Sequence, residues 1–182
     1  MGTTLHFTTA RDLFDAYEAA QSDIRARPDA EAPLEFLARL AESATPEEAI
    51  TFGAYLLPRR KAVWWGHECL MSLDHLLTDQ DRRMLRLAEI WVAEPEEEHR
   101  RQALDEAMVC PNKSPGVWIA LAAGWSGGSM TDAGSPTVPP PPFLAPRAVN
   151  AGILGVLARV DNSFRRKTLS TFVDMGAALA VR

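Results

Sequence analysis

The sequence has few cysteines, no cationic excess, almost no strand-forming runs and no long apolar stretch, and each lack excludes a class of protein. Only Cys69 and Cys110 carry thiols, far apart in a chain of 182 residues. Two thiols make no framework of the kind a small secreted domain needs, so both are expected reduced and buried. The formal net charge is -5. Without a cationic surface to neutralise phosphates or lipid head groups, neither nucleic acid nor an anionic membrane is an expected partner. The most apolar stretches, Val117 to Trp125 and Ala148 to Val160, fall well short of the roughly 20 residues that a spanning helix requires. Met1 to Phe7 show neither a cationic start nor an apolar run, and His6 stands where a myristoylation signal opening at Gly2 wants Ser or Thr. The expected location is cytoplasmic.

Recognisable chemistry is equally scarce. No phosphate-cradling loop occurs. Gly124-Trp125-Ser126-Gly127-Gly128 formally fits the Gly-x-Ser-x-Gly pattern, but that elbow needs a strand before it and a helix after it, and here a helix leads into coil. His67, Glu68, Asp74 and His75 invite a metal reading, yet Met71 occupies the second histidine position of a His-Glu-x-x-His site. His67 and His75 would lie about 12 Å apart along one ideal helix, too far for a shared ion. No catalytic residue, metal site or cofactor is therefore expected.

What the chain has in abundance is helix punctuation: polar caps or first-turn prolines followed by apolar residues three and four apart. With 47% hydrophobic residues, one well-buried domain over 1–182 is expected. The predicted class is all-α, about nine helices in a compact bundle or a short HEAT- or armadillo-like stack of α-hairpins. A first helix runs from Thr8 or Thr9 to about Ile24. A second begins near Pro33 with Leu34, Leu37, Leu40 and Ala41 on one face. A third opens at Thr45-Pro46-Glu47-Glu48, with Thr45 as its cap. The fourth runs from Pro58 to about Leu77, the fifth from Thr78-Asp79 through Ala93, and the sixth from Pro95 to near Cys110. A seventh, from Ser114-Pro115, carries Trp118, Leu121 and Trp125 on one face. A Gly/Pro-rich loop at 126–146 contains Pro139 to Pro142, and such a long connection is normally functional or mobile. Helices from about Arg147 to Val160 and from Ser163 to near Val181 close the chain.

Thr45-Pro46-Glu47-Glu48, Leu56-Leu57-Pro58 and Ala62-Val63-Trp64 are echoed in order by Glu94-Pro95-Glu96-Glu97, Val109-Cys110-Pro111 and Gly116-Val117-Trp118. That order fits stacked α-hairpins, and it also fits a chance match among proline-started helices.

On the fourth helix, Ala62, Trp65, Cys69, Leu73 and Leu76 share a core face, while Trp64, His67, Glu68, Met71, Asp74 and His75 gather on another. Gly66 permits close approach of a neighbouring helix. Trp65 is expected to be buried with its N–H bonded to a carbonyl, whereas Trp64 suits either a core or an interface. Met71 and Met84 read as core fillers. Arg59-Arg60-Lys61 and Arg165-Arg166-Lys167 lie in first helical turns, where cations oppose the macrodipole. Nearby glutamates are the expected compensation; a partner binding there would carry acidic residues.

The run Leu56-Leu57-Pro58-Arg59-Arg60-Lys61-Ala62-Val63-Trp64-Trp65, then Ile90-Trp91-Val92-Ala93-Glu94-Pro95 through Ala103, then Val138 to Pro142 before Arg147-Ala148-Val149, resembles a family of uncharacterised bacterial proteins catalogued as domain of unknown function 6931. The likeness extends from about Leu34 onward, and Lys61 departs from it where an acidic residue is commoner. The resemblance implies an accessory role near a type VI secretion machine; it carries over no activity and no catalytic residues. The leading expectation is a helical adaptor whose partner is another protein, a secretion-system component included. Its contact surface joins Arg59, Arg60, Trp64 and His67 with Val138, Pro139, Pro140 and Phe143. The rivals are an enzyme or small-molecule binder using His67, Glu68 and His75 in a cleft, and a self-associating structural subunit, a homo-oligomer.

Overall fold

A computed structural model describes residues 6–131 and 134–181. The reading of Met1 and Gly2, and Asp132 and Ala133 of the loop, lie outside the described residues. The described chain is helical without strands: α1 (Ala10–Ala16), α2 (Glu18–Asp23), α3 (Pro33–Ala41), α4 (Glu47–Leu56), α5 (Arg59–Met71), α6 (Asp79–Ala93), α7 (Glu97–Met108), α8 (Pro115–Gly124), α9 (Leu144–Leu157) and α10 (Asn162–Ala180). A 3₁₀ turn, Asp74–Leu76, links α5 to α6. No helix among the described residues is long and apolar enough to cross a membrane.

Local chemistry sets most of the starts. Thr9 and Thr78 each form a capping box, accepting the N–H of Asp12 and Asp81 while those carboxylates take the cap N–H in return. Pro33 and Pro115 stand in the first turns of α3 and α8, where a missing N–H costs nothing. At α4 the expected Thr45 cap is replaced by a tight lead-in turn, with Glu48 N–H on the Thr45 carbonyl and no side-chain cap.

Three boundaries depart from expectation. The first helix splits at Tyr17, which leaves the helical region with φ -123° and ψ 92°, its ring set between Phe7 and Tyr55. The fourth predicted helix stops at Met71 instead of Leu77. Ser72 Oγ donates to the Cys69 carbonyl, and Arg82 and Arg159 hold the following turn by the Asp74 and Leu76 carbonyls. Met71, expected in the core, is exposed, because it continues the outward stripe through Trp64 and Glu68. The loop ends at Phe143 rather than Pro146, since α9 begins at Leu144 with Pro146 inside its first turn.

α8 occupies the centre, flanked by α5, α6, α7 and α9. It carries no charge and is buried around nearly its whole circumference, so the single face drawn through Trp118, Leu121 and Trp125 was too narrow. α9 carries the core onward to α4, which lies on α3 and α10. Phe14, Phe36 and Phe52 join α1, α3 and α4 through ring contacts of 4.8–6.2 Å. Leu34 and Ala41, expected on the buried face of α3, are only partly covered, and Phe36 takes their place. The two halves of the sequence echo pack differently: α7 lies along α8, whereas α4 meets α5 over a much shorter contact.

Trp65 stands between two glycines. A Cβ at Gly53 or Gly176 would come within 2.9 Å of the indole, and the indole N–H donates to the Phe172 carbonyl at 2.8 Å. Gly66 likewise leaves room for Ile119 of α8 and Val149 of α9.

Among the described residues, the one carboxylate fully removed from solvent is Asp81, with relative exposure 0%. Its Oδ1 accepts the Gly116 N–H at 2.8 Å; its Oδ2 accepts the Thr78 N–H at 3.0 Å, the Thr78 hydroxyl at 2.9 Å and the Arg159 guanidinium at 2.8 Å. The side chain therefore closes the first turns of both α6 and α8, where the helix dipoles favour an anion. Burial works to raise its pKa, but the nearby Ser114 hydroxyl, Arg159 and the N–H groups of Thr78 and Gly116 prevail and hold it well below the usual carboxylate range. Gly116 is required there: a Cβ would lie 2.5 Å from Asp81 backbone atoms.

Candidate interaction site

The basic run that opens α5 forms no ion pair with a carboxylate among the described residues. Each cation instead reaches the carbonyl end of a different helix. Arg59 donates to the Ser126 carbonyl just past α8 at 3.1 Å, and Arg60 to the Val92 and Ala93 carbonyls of α6 at 2.7 and 3.2 Å. Lys61 donates to the Leu179 carbonyl of α10 at 3.1 Å. Carbonyls left over at a helix C-terminus carry partial negative charge, so they take the place of the expected glutamates. The same device recurs at Arg165, which donates to the Ala158 and Val160 carbonyls after α9, and at Lys113, which closes α7.

Trp64 and His67 face α6. The two rings stack at 4.9 Å with planes 11° apart, and His67 is buried at 5% exposure. Its Nδ1 lies 3.0 Å from Glu68 Oε1; its Nε2 lies 4.0 Å from Glu89 Oε2 of α6. Trp64 itself is half-buried and, with Glu89, Val92 and Ala93, lines a groove of about 250 Å3. Arg60 stands one turn before Trp64 on α5, its guanidinium on the Val92 and Ala93 carbonyls. Glu68 and Glu89 are largely open to solvent, at 41% and 55% side-chain exposure.

The proline loop is secured elsewhere. Met130 N–H donates to the Val138 carbonyl, Ser129 Oγ accepts from the N–H groups of Thr131 and Val138, and Thr131 Oγ1 donates to the Pro136 carbonyl. Arg100 and Arg101 of α7 clasp the carbonyls of Gly124, Ser129 and Thr131. Within the expected contact segment, Val138 and Pro139 are exposed but Pro140 is buried, so Pro140 offers no surface. Phe143 is half-covered, with the Arg147 guanidinium 4.5 Å above its ring. Arg147 in turn pairs with Asp23 at 2.8 Å, and Asp23 accepts the Tyr55 hydroxyl at 2.6 Å. Desolvation and the Asp23 carboxylate both push the Tyr55 phenol upward. No hydrogen bond, ion pair or ring contact among the described residues joins 138–143 to Arg60, Trp64 or His67. Of the surface read from the sequence, Arg60, Trp64 and His67 lie at the seam between α5 and α6, and Phe143 stands at the start of α9.

The histidine and carboxylate group does not converge. His67 and Glu68 remain on α5, Asp74 is taken by Arg82 at 2.8 Å, and His75 sits exposed on the 3₁₀ turn. No cluster of three or more His, Cys, Asp or Glu suited to a metal ion forms among the described residues. Cys69 is buried, and burial, reinforced by Glu68, pushes its thiol well up, which suppresses the thiolate that nucleophilic chemistry requires. Cys110, expected to be buried, is only partly so, with its thiol on the Glu106 carbonyl.

Sequence reasoning named Trp64 and His67 as candidates but not Glu89, Val92 and Ala93, which line the groove with Trp64. The α6 stripe is visible in sequence; its alignment against Trp64 depends on the turn at Asp74–Leu76. Searches of curated proteins and of solved structures find no match. The model of a family of unknown function, DUF6931, matches residues 36–180, and with most of its length so matched the chain belongs to that family.

Proposed function

We propose that the chain is a helical protein-interaction module, an accessory or adaptor component, whose partner docks on the seam between α5 and α6. The observation that carries this reading is Trp64. It is a large amphipathic side chain left half-open in a groove, while its neighbour Trp65 is wholly enclosed and hydrogen-bonded. The His67 ring behind it, stacked and buried, fixes the indole in one orientation, so little side-chain freedom remains to be lost on binding. Bacterial origin and a place beside a type VI secretion machine belong to the same proposal and rest on the family resemblance alone; cytoplasmic residence is proposed with them.

The test is partner recovery from the native organism with wild type, Trp64→Ala and Val138→Ser. Loss of specific partners in Trp64→Ala alone supports the seam. Equal recovery by all three defeats it.

A further inference from the structure

The groove beside Trp64 has a chemistry of its own. One wall is an indole, another a carboxylate, and the remaining lining is the small apolar pair Val92 and Ala93. Among the described residues, the ionic neighbour of Glu89 is His67 Nε2 at 4.0 Å, beyond hydrogen-bond reach, and the Glu89 side chain is 55% exposed where it lines the groove. Arg86, a turn earlier on α6, forms no ion pair with it. Arg60, also at the seam, has its guanidinium held on the α6 carbonyls. Directly after Ala93 the chain carries Glu94, Glu96 and Glu98, all exposed. An aromatic face, an exposed carboxylate and the acidic residues that follow Ala93 in the chain together match a cationic side chain with an aliphatic stem: the stem lies on Val92 and Ala93, the charge between indole and carboxylate. Exposed acidic groups so close along the chain steer a basic segment toward the same end of α6.

We infer that this groove receives a lysine or arginine side chain from a basic segment of a partner protein, the reverse of the acidic partner that the Arg59-Arg60-Lys61 run implies. The inference rests on the interaction reading above and names the class of partner.

Short peptides on one alanine–serine frame, with lysine, arginine, leucine or glutamate at the centre, are titrated against the full chain. Binding is followed by the indole N–H resonance of Trp64, assigned through Trp64→Phe. Lysine and arginine peptides are expected to bind about tenfold tighter than the leucine and glutamate peptides. That preference is expected to collapse in Glu89→Gln and to shrink with added salt. Glu89 is exposed, so circular dichroism of Glu89→Gln should match wild type. A leucine peptide that binds as well as lysine overturns the cationic assignment while leaving the interaction reading intact. A lysine preference unchanged in Glu89→Gln, or no peptide shifting the indole resonance, overturns it too. Failure of the wider reading shows separately, as equal partner recovery by Trp64→Ala.

Discussion

Replacing Asp81 by asparagine keeps the shape of the side chain and removes its charge. Four donors now converge on its two oxygens. If the amide oxygen keeps the Oδ2 position, the new NH2 points at the Gly116 N–H, donor against donor. If the amide flips, it opposes the Thr78 N–H and hydroxyl and Arg159 together. The first arrangement is the milder, and it still orphans one buried N–H at about 1–3 kcal/mol. Breaking a fully buried ion pair costs about 3–5 kcal/mol, but Arg159 is 31% exposed and regains water. A total near 3 kcal/mol is expected, which for a chain of this length lowers Tm by about 6–12 °C. Urea unfolding followed by circular dichroism at neutral pH measures it. The pH dependence has a definite sign. The folded-state pKa of Asp81 is depressed, so its contribution is complete above the unfolded value of about 3.9 and is lost as pH falls toward the folded value. The gap between wild type and Asp81→Asn should therefore narrow on acidification below about pH 4. A destabilisation under about 1 kcal/mol at neutral pH, or a gap that persists undiminished in acid, would refute the assignment of Asp81 as a charged tie between α6 and α8.

Other substitutions probe the same packing. Gly116→Ala places a Cβ against Asp81 backbone and should destabilise by about 1–3 kcal/mol in urea unfolding, despite alanine's better helix propensity. Trp65→Ala should cost about 3–5 kcal/mol, whereas Trp64→Ala, at a half-open site, should cost less than half as much in the same assay. Lys61→Met removes a charge-assisted bond to the Leu179 carbonyl and should cost about 1 kcal/mol; a stability gain would mean that the first-turn dipole penalty wins. Tyr55→Phe leaves the Asp23–Arg147 pair in place and should cost about 1 kcal/mol by thermal unfolding.

Helix starts were legible because their chemistry is local: Thr78 and Asp81 are three residues apart, and Pro33 and Pro115 declare a first turn by themselves. Helix ends at Tyr17 and Met71 were not, because each is decided by distant partners: the Tyr55 ring for one, Arg82 and Arg159 for the other. Phe36 was overlooked because the face of α3 was drawn through Leu34 and Ala41, one step away from the stripe that meets Phe14 and Phe52. The Arg59-Arg60-Lys61 run was correctly read as needing compensation. Its compensating groups lie 32 to 118 positions along the chain, as main-chain oxygens that every residue possesses, so no pattern of side chains could name them. At the candidate site, Trp64 and His67 were visible as one face of a helix, but the burial of Pro140 depended on the tertiary course of the proline loop.

Those three consecutive cations have a dynamic consequence. One turn of α5 holds the closing turns of α6 and α10 and the segment just past α8, so fraying at any of these ends frees a charge whose backbone is shared with the other two attachments. Amide hydrogens in those three distant places should exchange with deuterated solvent as one unit, at rates set by the opening of α5.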